Sequence, residues 1–340
     1  MGGMEAYGIS RTRDKKGVII KQTTLPWVNC IHRNCGGGWK TMEILVLIVM
    51  AKQYRIRKLT PTECLRLMGV SEGDIRKMRD AGISDTQLYK MAGNSIVVGV
   101  LEGIFSKMFN PHDFPIRVFE AFAGYGSQSM ALRNIGIPHD VVGISEIDKY
   151  ALMGYYATHG QEKNYGDICA INWESVPDFD LFTYSFPCTD ISNAGQQAGF
   201  DEGSGTRSSL LWECRRAIEH KRPKYLLMEN VKNITSKKFI PGLHKWMNFL
   251  AHQGYTNFCK VLDAKNYGGI PQHRERCYLV SILGEAWYDF PAPVPREREL
   301  EDYLEEEVDD KYWLDQKRVD DFIARLSDEE LARLEKGRSV

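Results

Sequence analysis

Two residues of this 340-residue chain, a cysteine and a carboxylate, are placed to do chemistry. Cys188 closes Ser185-Phe186-Pro187-Cys188, directly after the apolar run Asp180-Leu181-Phe182-Thr183-Tyr184. Glu229 lies forty-one residues further on, in Glu229-Asn230-Val231, at the end of a second apolar run, Tyr225-Leu226-Leu227-Met228. Both runs read as buried strands of an α/β sheet, and such sheets bind ligands in the crevice at the carboxyl ends of their strands. A thiol and a carboxyl group meeting there suit covalent attack by sulfur on a ring that the carboxyl group activates by protonation. A lone cysteine beside a strand is more often a small buried hydrophobe. Its company argues otherwise: Gln272-His273-Arg274-Glu275-Arg276 follows the turn-rich Tyr267-Gly268-Gly269-Ile270-Pro271. Arginines bring fixed donors that can hold a carboxylate and a base carbonyl together.

A ligand site is written nearer the start of the same pattern. Ile116-Arg117-Val118-Phe119-Glu120 reads as a strand, followed by the turn Ala121-Phe122-Ala123-Gly124-Tyr125-Gly126-Ser127 and a helix through Leu132. Glycines there let the backbone turn tightly and approach a ligand. The next strand, Val141-Val142-Gly143-Ile144, ends at Glu146, twenty-two residues after Gly124, a distance at which an acid binds ribose hydroxyls. Asp167, in Gly166-Asp167-Ile168, is expected to reach an adenine amino group from the following strand end. Gly126 is followed by Ser127, Gln128 and Ser129 and no third glycine, so a weakly charged adenosine ligand such as S-adenosylmethionine fits better than a dinucleotide.

The elements that must position these groups fall into four stretches. Residues 1–54 read as a basic, irregular segment, Gly-rich around Gly36-Gly37-Gly38. Residues 55–110 read as helical: Thr60-Pro61-Thr62-Glu63 offers a cap, a proline at the first helical position and an acid at the third. A second helix is expected from Ser95 to Met108, with Ile96, Val100, Ile104 and Phe105 on one face. Residues 111–290 alternate apolar strands with amphipathic helices, the pattern of a mostly parallel sheet. Residues 291–340 are Pro-rich, then acidic and helical, with an exposed helix expected from Asp328 to Lys336.

Bulk properties narrow the class. Apolar residues make up 43% and charged residues 26%, as in a soluble globular protein. The start, Met1-Gly2-Gly3-Met4-Glu5, lacks the basic and apolar regions of a signal peptide. Met42 to Ala51 is too short for a bilayer and suits a buried strand. Eight scattered cysteines without framework spacing indicate a reduced compartment. Cys30, His32 and Cys35 lack the second ligand pair of a zinc site, so no metal is expected. The net charge of −1 conceals an asymmetry. Residues 1–58 hold eleven Lys/Arg against three Asp/Glu, a net +8, while residues 285–340 hold nine against eighteen, a net −9. The basic segment can neutralise phosphates or be no more than a solvated face.

Taken together, the blocks resemble the DNA (cytosine-5)-methyltransferase family. The matching residues are Phe122-Ala123-Gly124-Tyr125-Gly126, Glu146-Ile147-Asp148, Gly166-Asp167-Ile168, Pro187-Cys188, Glu229-Asn230-Val231 and Gln272-His273-Arg274-Glu275-Arg276. Arg57-Lys58-Leu59-Thr60-Pro61-Thr62-Glu63 and Ala92-Gly93-Asn94-Ser95-Ile96-Val97 match as well, so the resemblance spans roughly residues 55–290. It implies a Rossmann-like α/β methyltransferase sheet with helices on both faces, plus a small irregular recognition region. It also implies S-adenosylmethionine as methyl donor and a flipped cytosine of double-stranded DNA as substrate. By the same resemblance Cys188 attacks C6, Glu229 holds and protonates N3, Arg276 contacts O2 and Arg274 orients Glu229. Phe122, Gly124, Glu146, Ile147, Asp167, Ile168, Pro187, Leu210, Asn94 and Ser95 are the cofactor contacts it implies. As alternatives, Ile147, Ile168 and Leu210 are core residues and Asn94 a helix cap.

The order of blocks departs from the family's. Leu59-Thr60-Pro61 and Gly93-Asn94-Ser95 usually close the sequence, and here they precede the glycine loop, as in a circular permutation. Target recognition then has to come from residues 1–54 and 291–340 together, with Arg11, Arg13, Lys15, Lys16 and Lys21 as its phosphate-facing charge. Ser192 and Gly195 to Gly205 are expected to form the loop that closes over the base, or else a plain linker. The family's compact form implies a cytoplasmic bacterial or phage protein that acts as a monomer on DNA and has no membrane partner. A cognate restriction enzyme stays open, as do an inactive DNA-binding remnant and a tRNA methyltransferase.

Overall fold

The computed structural model describes residues 5–13, 19–25, 28–29, 45–50, 53–192 and 198–329. Five strands come first: β1 (Glu5–Arg13), β2 (Ile19–Leu25), β3 (Val28–Asn29), β4 (Leu45–Met50) and β5 (Gln53–Lys58). β2, β1, β4 and β5 pair in that order into an antiparallel sheet, with Glu5 opposite Val49 and Leu45 opposite Lys58. The expectation of an irregular segment over residues 1–54, and of helix from residue 55, is corrected here. Strands such as β1, which lack a sustained apolar alternation, carry little local β signal, and their stability comes from non-local partners that no local pattern displays. The strand expected within Met42 to Ala51 is β4.

Four short helices follow: α1 (Pro61–Arg66), α2 (Glu72–Asp80), α3 (Asp85–Asn94) and α4 (Val98–Phe105). At the start of α1 the Thr60 hydroxyl accepts from the Glu63 N–H at 3.2 Å, and the Glu63 carboxylate accepts from the Thr60 N–H at 2.8 Å. That reciprocal cap satisfies two of the helix's orphan donors. The helix expected from Ser95 starts only at Val98, because Ser95 and Val97 are extended, with ψ of 171° and 121°.

A larger, six-stranded sheet is built from β6 (Ile116–Ala121), β7 (His139–Ser145), β8 (Leu181–Tyr184), β9 (Tyr225–Val231), β10 (Tyr255–Asp263) and β12 (Glu275–Leu283), in the order β10-β12-β9-β8-β6-β7. β9, β8, β6 and β7 are parallel, and β12 runs antiparallel between β10 and β9. The two-residue β11 (Gln272–His273) pairs instead with β3. Helices α5 (Ser127–Asn134), α6 (Lys149–His159), α7 (Leu211–Lys221), α8 (Ile240–His252) and α9 (Ala264–Tyr267) connect the strands. Side-chain alternation puts helices on both faces. Tyr225, Leu227, Tyr278, Val280 and Ile282 join the core made with α1 to α5, while Leu226, Met228, Cys277 and Leu279 join that of α7 and α8. The strand expected to deliver Asp167 is reduced to a single bridge, Ile144 to Asn164.

After two 3-10 turns, Leu300–Tyr303 and Asp310–Tyr312, the chain forms α10 (Gln316–Ile323) and packs against β5. Leu314 N–H donates to the Ile56 carbonyl at 2.9 Å, Arg55 lies 3.8 Å from the Trp313 ring centroid, and Ile56 joins Val319, Phe322 and Leu326 in a small core. Residues 55–56 and 313–326 thus lie together. Cys30, His32, Cys35, Lys15, Lys16, most of the helix expected at Asp328 to Lys336, and residues 193–197 of the expected catalytic loop lie outside the described residues. Among the described residues no helix is long and apolar enough to cross a membrane.

Candidate active site

A cleft of about 1850 Å³ opens at the carboxyl ends of β6, β7, β8 and β9, and the α3–α4 junction and the β11–β12 segment complete its wall. That volume exceeds what one small molecule needs, and leaves room for a nucleoside ligand beside an extruded base. All fourteen residues expected to act here line it: Phe122, Gly124, Glu146, Ile147, Asp167, Ile168, Pro187, Cys188, Leu210, Glu229, Arg274 and Arg276, with Asn94 and Ser95.

At one end the β6–α5 loop bends through three left-handed residues, Phe122 at φ 56°, Gly124 at φ 60° and Gly126 at φ 84°. Gly124 faces open space, whereas a Cβ at Gly126 would sit 2.4 Å from His159 Nε2, so the loop is open on the cleft side and tight beneath it. Such a conformation is costly for Phe122, and strain of this kind concentrates at ligand sites. The Glu146 carboxylate accepts from the backbone N–H of Gly124 at 2.9 Å, Ile147 at 2.8 Å and Asp148 at 2.7 Å. It is thereby fixed with acceptor capacity to spare. Ile147 beside it is 70% exposed, an apolar side chain presented to the cleft and no core residue. Asn164 orients this corner, its amide bonding both backbone groups of Glu146.

Asp167 caps the 3-10 turn Ile168–Ala170 by accepting from the Cys169 N–H. Ile168 is 2% exposed and packs in the α7–α8 core, so its alternative reading as a core residue also holds. Leu210 immediately precedes α7, and Asn94 ends α3. Ser95 bonds the Ser127 hydroxyl at 3.0 Å and that of Tyr125 at 2.5 Å, which ties the early α3–α4 segment to the glycine loop.

At the other end Cys188 starts a turn in which the N–H groups of Ile191 and Ser192 donate to its carbonyl at 3.1 and 2.9 Å. Burial pushes its thiol up from the ordinary cysteine value, and the charge of Glu229 adds to the rise, while Arg276 and Arg274 oppose it. Glu229 is 8% exposed, and burial raises its carboxyl above the ordinary glutamate range against Arg276, Arg274 and a hydrogen bond from Ser185. Arg276 Nε stands 3.3 Å from Glu229 Oε1. Arg274 donates Nη2 to the carbonyls of Gly93 at 3.1 Å and Ser95 at 2.5 Å, and acts on Glu229 through its charge.

The model of the C-5 cytosine-specific DNA methylase family matches residues 4–110 and 116–335. The chain belongs to that family. Type II methyltransferase M2.ScrFI of Lactococcus lactis subsp. cremoris is 42% identical over 260 residues, which cover 61% of this chain and 72% of the relative. The orphan methyltransferase M.SPRI of Bacillus phage SPR is 31% identical over 245 residues, 62% of this chain and 55% of its own length. Among solved structures, the S. pombe Dnmt2 methyltransferase is similar over 51% of this chain and 50% of its own, at 25% identity and a TM-score of 0.41.

In this methylase, sequence reasoning passed over three polar side chains at the site. Ser185 bonds Glu229, Asn164 holds Glu146, and Asn230 donates to the Phe186 carbonyl at 3.0 Å. Asn230 is visible in the Glu229-Asn230-Val231 block. Ser185 and Asn164 sit in ordinary polar context, and only the fold gives them partners.

Proposed function

We propose that this protein transfers a methyl group from S-adenosylmethionine to C5 of a cytosine turned out of duplex DNA, with Cys188 as nucleophile. The observation that carries the reading is Glu229, a buried carboxyl raised in pKa, anchored by Arg276 at the strand beside the one that delivers Cys188. A carboxyl whose pKa burial has raised gives up its proton to a ring nitrogen at a pH where an ordinary exposed glutamate has already lost it.

The residues at the glycine loop fit S-adenosylmethionine. The Glu146 carboxylate would take the ribose hydroxyls, the exposed face of Ile147 the adenine, and Asp167 its amino group, with Phe122, Gly124, Ile168, Pro187, Leu210, Asn94 and Ser95 completing the wall. When bound, that cofactor supplies an electrophilic methyl group. The Cys188 thiolate adds to C6 while Glu229 delivers a proton to N3, so negative charge does not build on the ring. C5 would then have enamine character and take the methyl group, leaving the donor sulfonium as a thioether. Departure of Cys188 as thiolate, loss of the C5 proton to water and return of the N3 proton to Glu229 would restore aromaticity. Arg276 contacts O2 and fixes Glu229, and Arg274 joins the acid to the α3–α4 segment. Unstacking the base costs a few kcal/mol, repaid by contacts in the cleft.

Permutation of the catalytic domain and a target-reading unit made of both chain ends belong to the same reading. Contact of α10 and Trp313 with β5 supports it, since β5 pairs with β4 and so links the acidic stretch to the early sheet. Bacterial and phage relatives support action in the cytoplasm of such cells. Bisulfite sequencing of DNA from cells expressing the protein tests the function. The expected result is 5-methylcytosine at one short sequence, absent with Cys188→Ala. Unmodified DNA from cells in which the protein binds cofactor, or modification confined to tRNA, would overturn it.

A further inference from the structure

The backbone around Cys188 is gripped from the α7 side by two groups that the proposed reaction does not use. Ser208 sits on the 3-10 turn Arg207–Leu210 with 0% exposure, and Asp190 is 8% exposed. The Ser208 hydroxyl donates to the Pro187 carbonyl at 2.6 Å and accepts from the Asp190 backbone N–H at 3.1 Å. In return the Asp190 carboxylate accepts from the Ser208 backbone N–H at 3.2 Å and from the Thr189 hydroxyl at 3.0 Å. One hydroxyl therefore bridges the carbonyl just before Cys188 and the N–H two residues after it.

From the β9 side, Asn230 holds the Phe186 carbonyl and Asn233 donates to the Ile191 carbonyl at 2.5 Å. Backbone on both sides of the thiol is thus tied to two different elements. Rotation of the Pro187–Cys188 peptide would swing the sulfur, and misplacing a reacting atom by about 1 Å costs on the order of a hundredfold in rate. A serine whose sole task was to fill space would not need one bond on the peptide that precedes the nucleophile and the other on the Thr189–Asp190 peptide just beyond it. Burying a carboxylate that bonds neutral donors is also expensive unless its geometry is useful.

We propose that Ser208 and Asp190 are positioning residues for Cys188, a clasp from the α7 side that sets the height and direction of the thiol. The inference rests on Cys188 being the nucleophile. Steady-state methyl transfer and cofactor binding by calorimetry, with Ser208→Ala and Asp190→Ala, test it. The expected result in each variant is a kcat lower by about tenfold to a hundredfold, with the DNA KM and the S-adenosylmethionine Kd within about twofold of the parent. Adduct formation on a 5-fluorocytosine duplex slows in parallel. A kcat within about twofold of the parent in either variant, or a cofactor Kd that rises in step with the fall in kcat, overturns the clasp. If Ser208→Ala does not fold, Asp190→Ala carries the same two outcomes. A parent protein that forms no adduct and transfers no methyl group contradicts the proposed function, a failure visible before either variant is made.

Discussion

Arg276 Nε lies 3.3 Å from Glu229 Oε1 where β12 runs antiparallel beside β9, with Arg276 opposite Val231. The guanidinium pulls the carboxyl pKa down and burial pushes it up, and burial wins. The pairing therefore fixes the direction of the acid while its pKa stays above the ordinary glutamate value. An arginine's planar fork does this where a lysine's flexible point charge would not.

Glu229→Gln keeps the shape of the acid and removes its proton. A kcat lower by about 10²- to 10⁴-fold is expected. The active pair shares one proton between Cys188 and Glu229, so kcat/KM of the parent is bell-shaped in pH. Its rising limb belongs to Glu229, above the ordinary 4.5, and its falling limb to Cys188, above the ordinary 9.0. In the variant only the thiolate requirement is left, so activity climbs on a single limb. That limb lies at lower pH than the parent's Cys188 ionisation, because the Glu229 charge helps to raise it. A bell that survives in Glu229→Gln would remove Glu229 from the chemistry.

Glu146→Ala leaves the N–H groups of Gly124, Ile147 and Asp148 without their shared acceptor. Loss of hydrogen bonds to a charged group, at about 1.5–3 kcal/mol, predicts a rise in the S-adenosylmethionine Kd of about tenfold to a hundredfold by calorimetry. An unchanged Kd would place the ribose elsewhere.

Glu63 ties β5 and the segment around Glu305 to the first helix. Its carboxylate accepts from Arg57 Nη1 and Nη2 at 2.7 and 2.6 Å, and from the backbone N–H of Thr60 and Glu305 at 2.8 Å each. Removing one partner of a buried pair strands the other charge, so Glu63→Ala is expected to lose about 3–5 kcal/mol in urea unfolding. A loss below about 1 kcal/mol, the range of a surface pair, would contradict this account.

Glu120 is fully buried under the glycine loop, and burial pushes its carboxyl up to about 7. A raised folded-state pKa means that the folded protein holds the proton more tightly than the unfolded chain. The stability it contributes is complete below the ordinary 4.5 and is lost as pH rises to about 7. Glu120→Gln should flatten that decline and, at pH 8, be more stable than the parent by up to about 3 kcal/mol. Thermal unfolding from acid to neutral pH checks it, and parallel curves for the two proteins would count against it.

What the sequence disclosed follows from how local each signal is. The cap at Thr60 and Glu63 and the strand-end placement of Cys188 and Glu229 are written within a few residues each, and could be read directly. Of the early sheet only β4 could be read, because β1 pairs with β4 some forty residues away and its own residues show no sustained apolar alternation. The start of α4 at Val98 was hidden too: Ser95 is held extended by Arg274 and Tyr125, partners far along the chain. The clasp of Ser208 on Pro187 spans twenty-one residues through serines that look like any loop.

The central claim is covalent attack by Cys188, and trapping tests it most directly. Fluorine at C5 cannot leave as the proton does, so a duplex carrying 5-fluorocytosine at the target site should hold the enzyme after methyl transfer. Denaturing electrophoresis and mass spectrometry should show, with S-adenosylmethionine present, a stable protein–DNA species linked through Cys188 and absent with Cys188→Ala. Methylation of ordinary DNA without any adduct on the fluorinated duplex, or an adduct that persists in Cys188→Ala, would contradict the account.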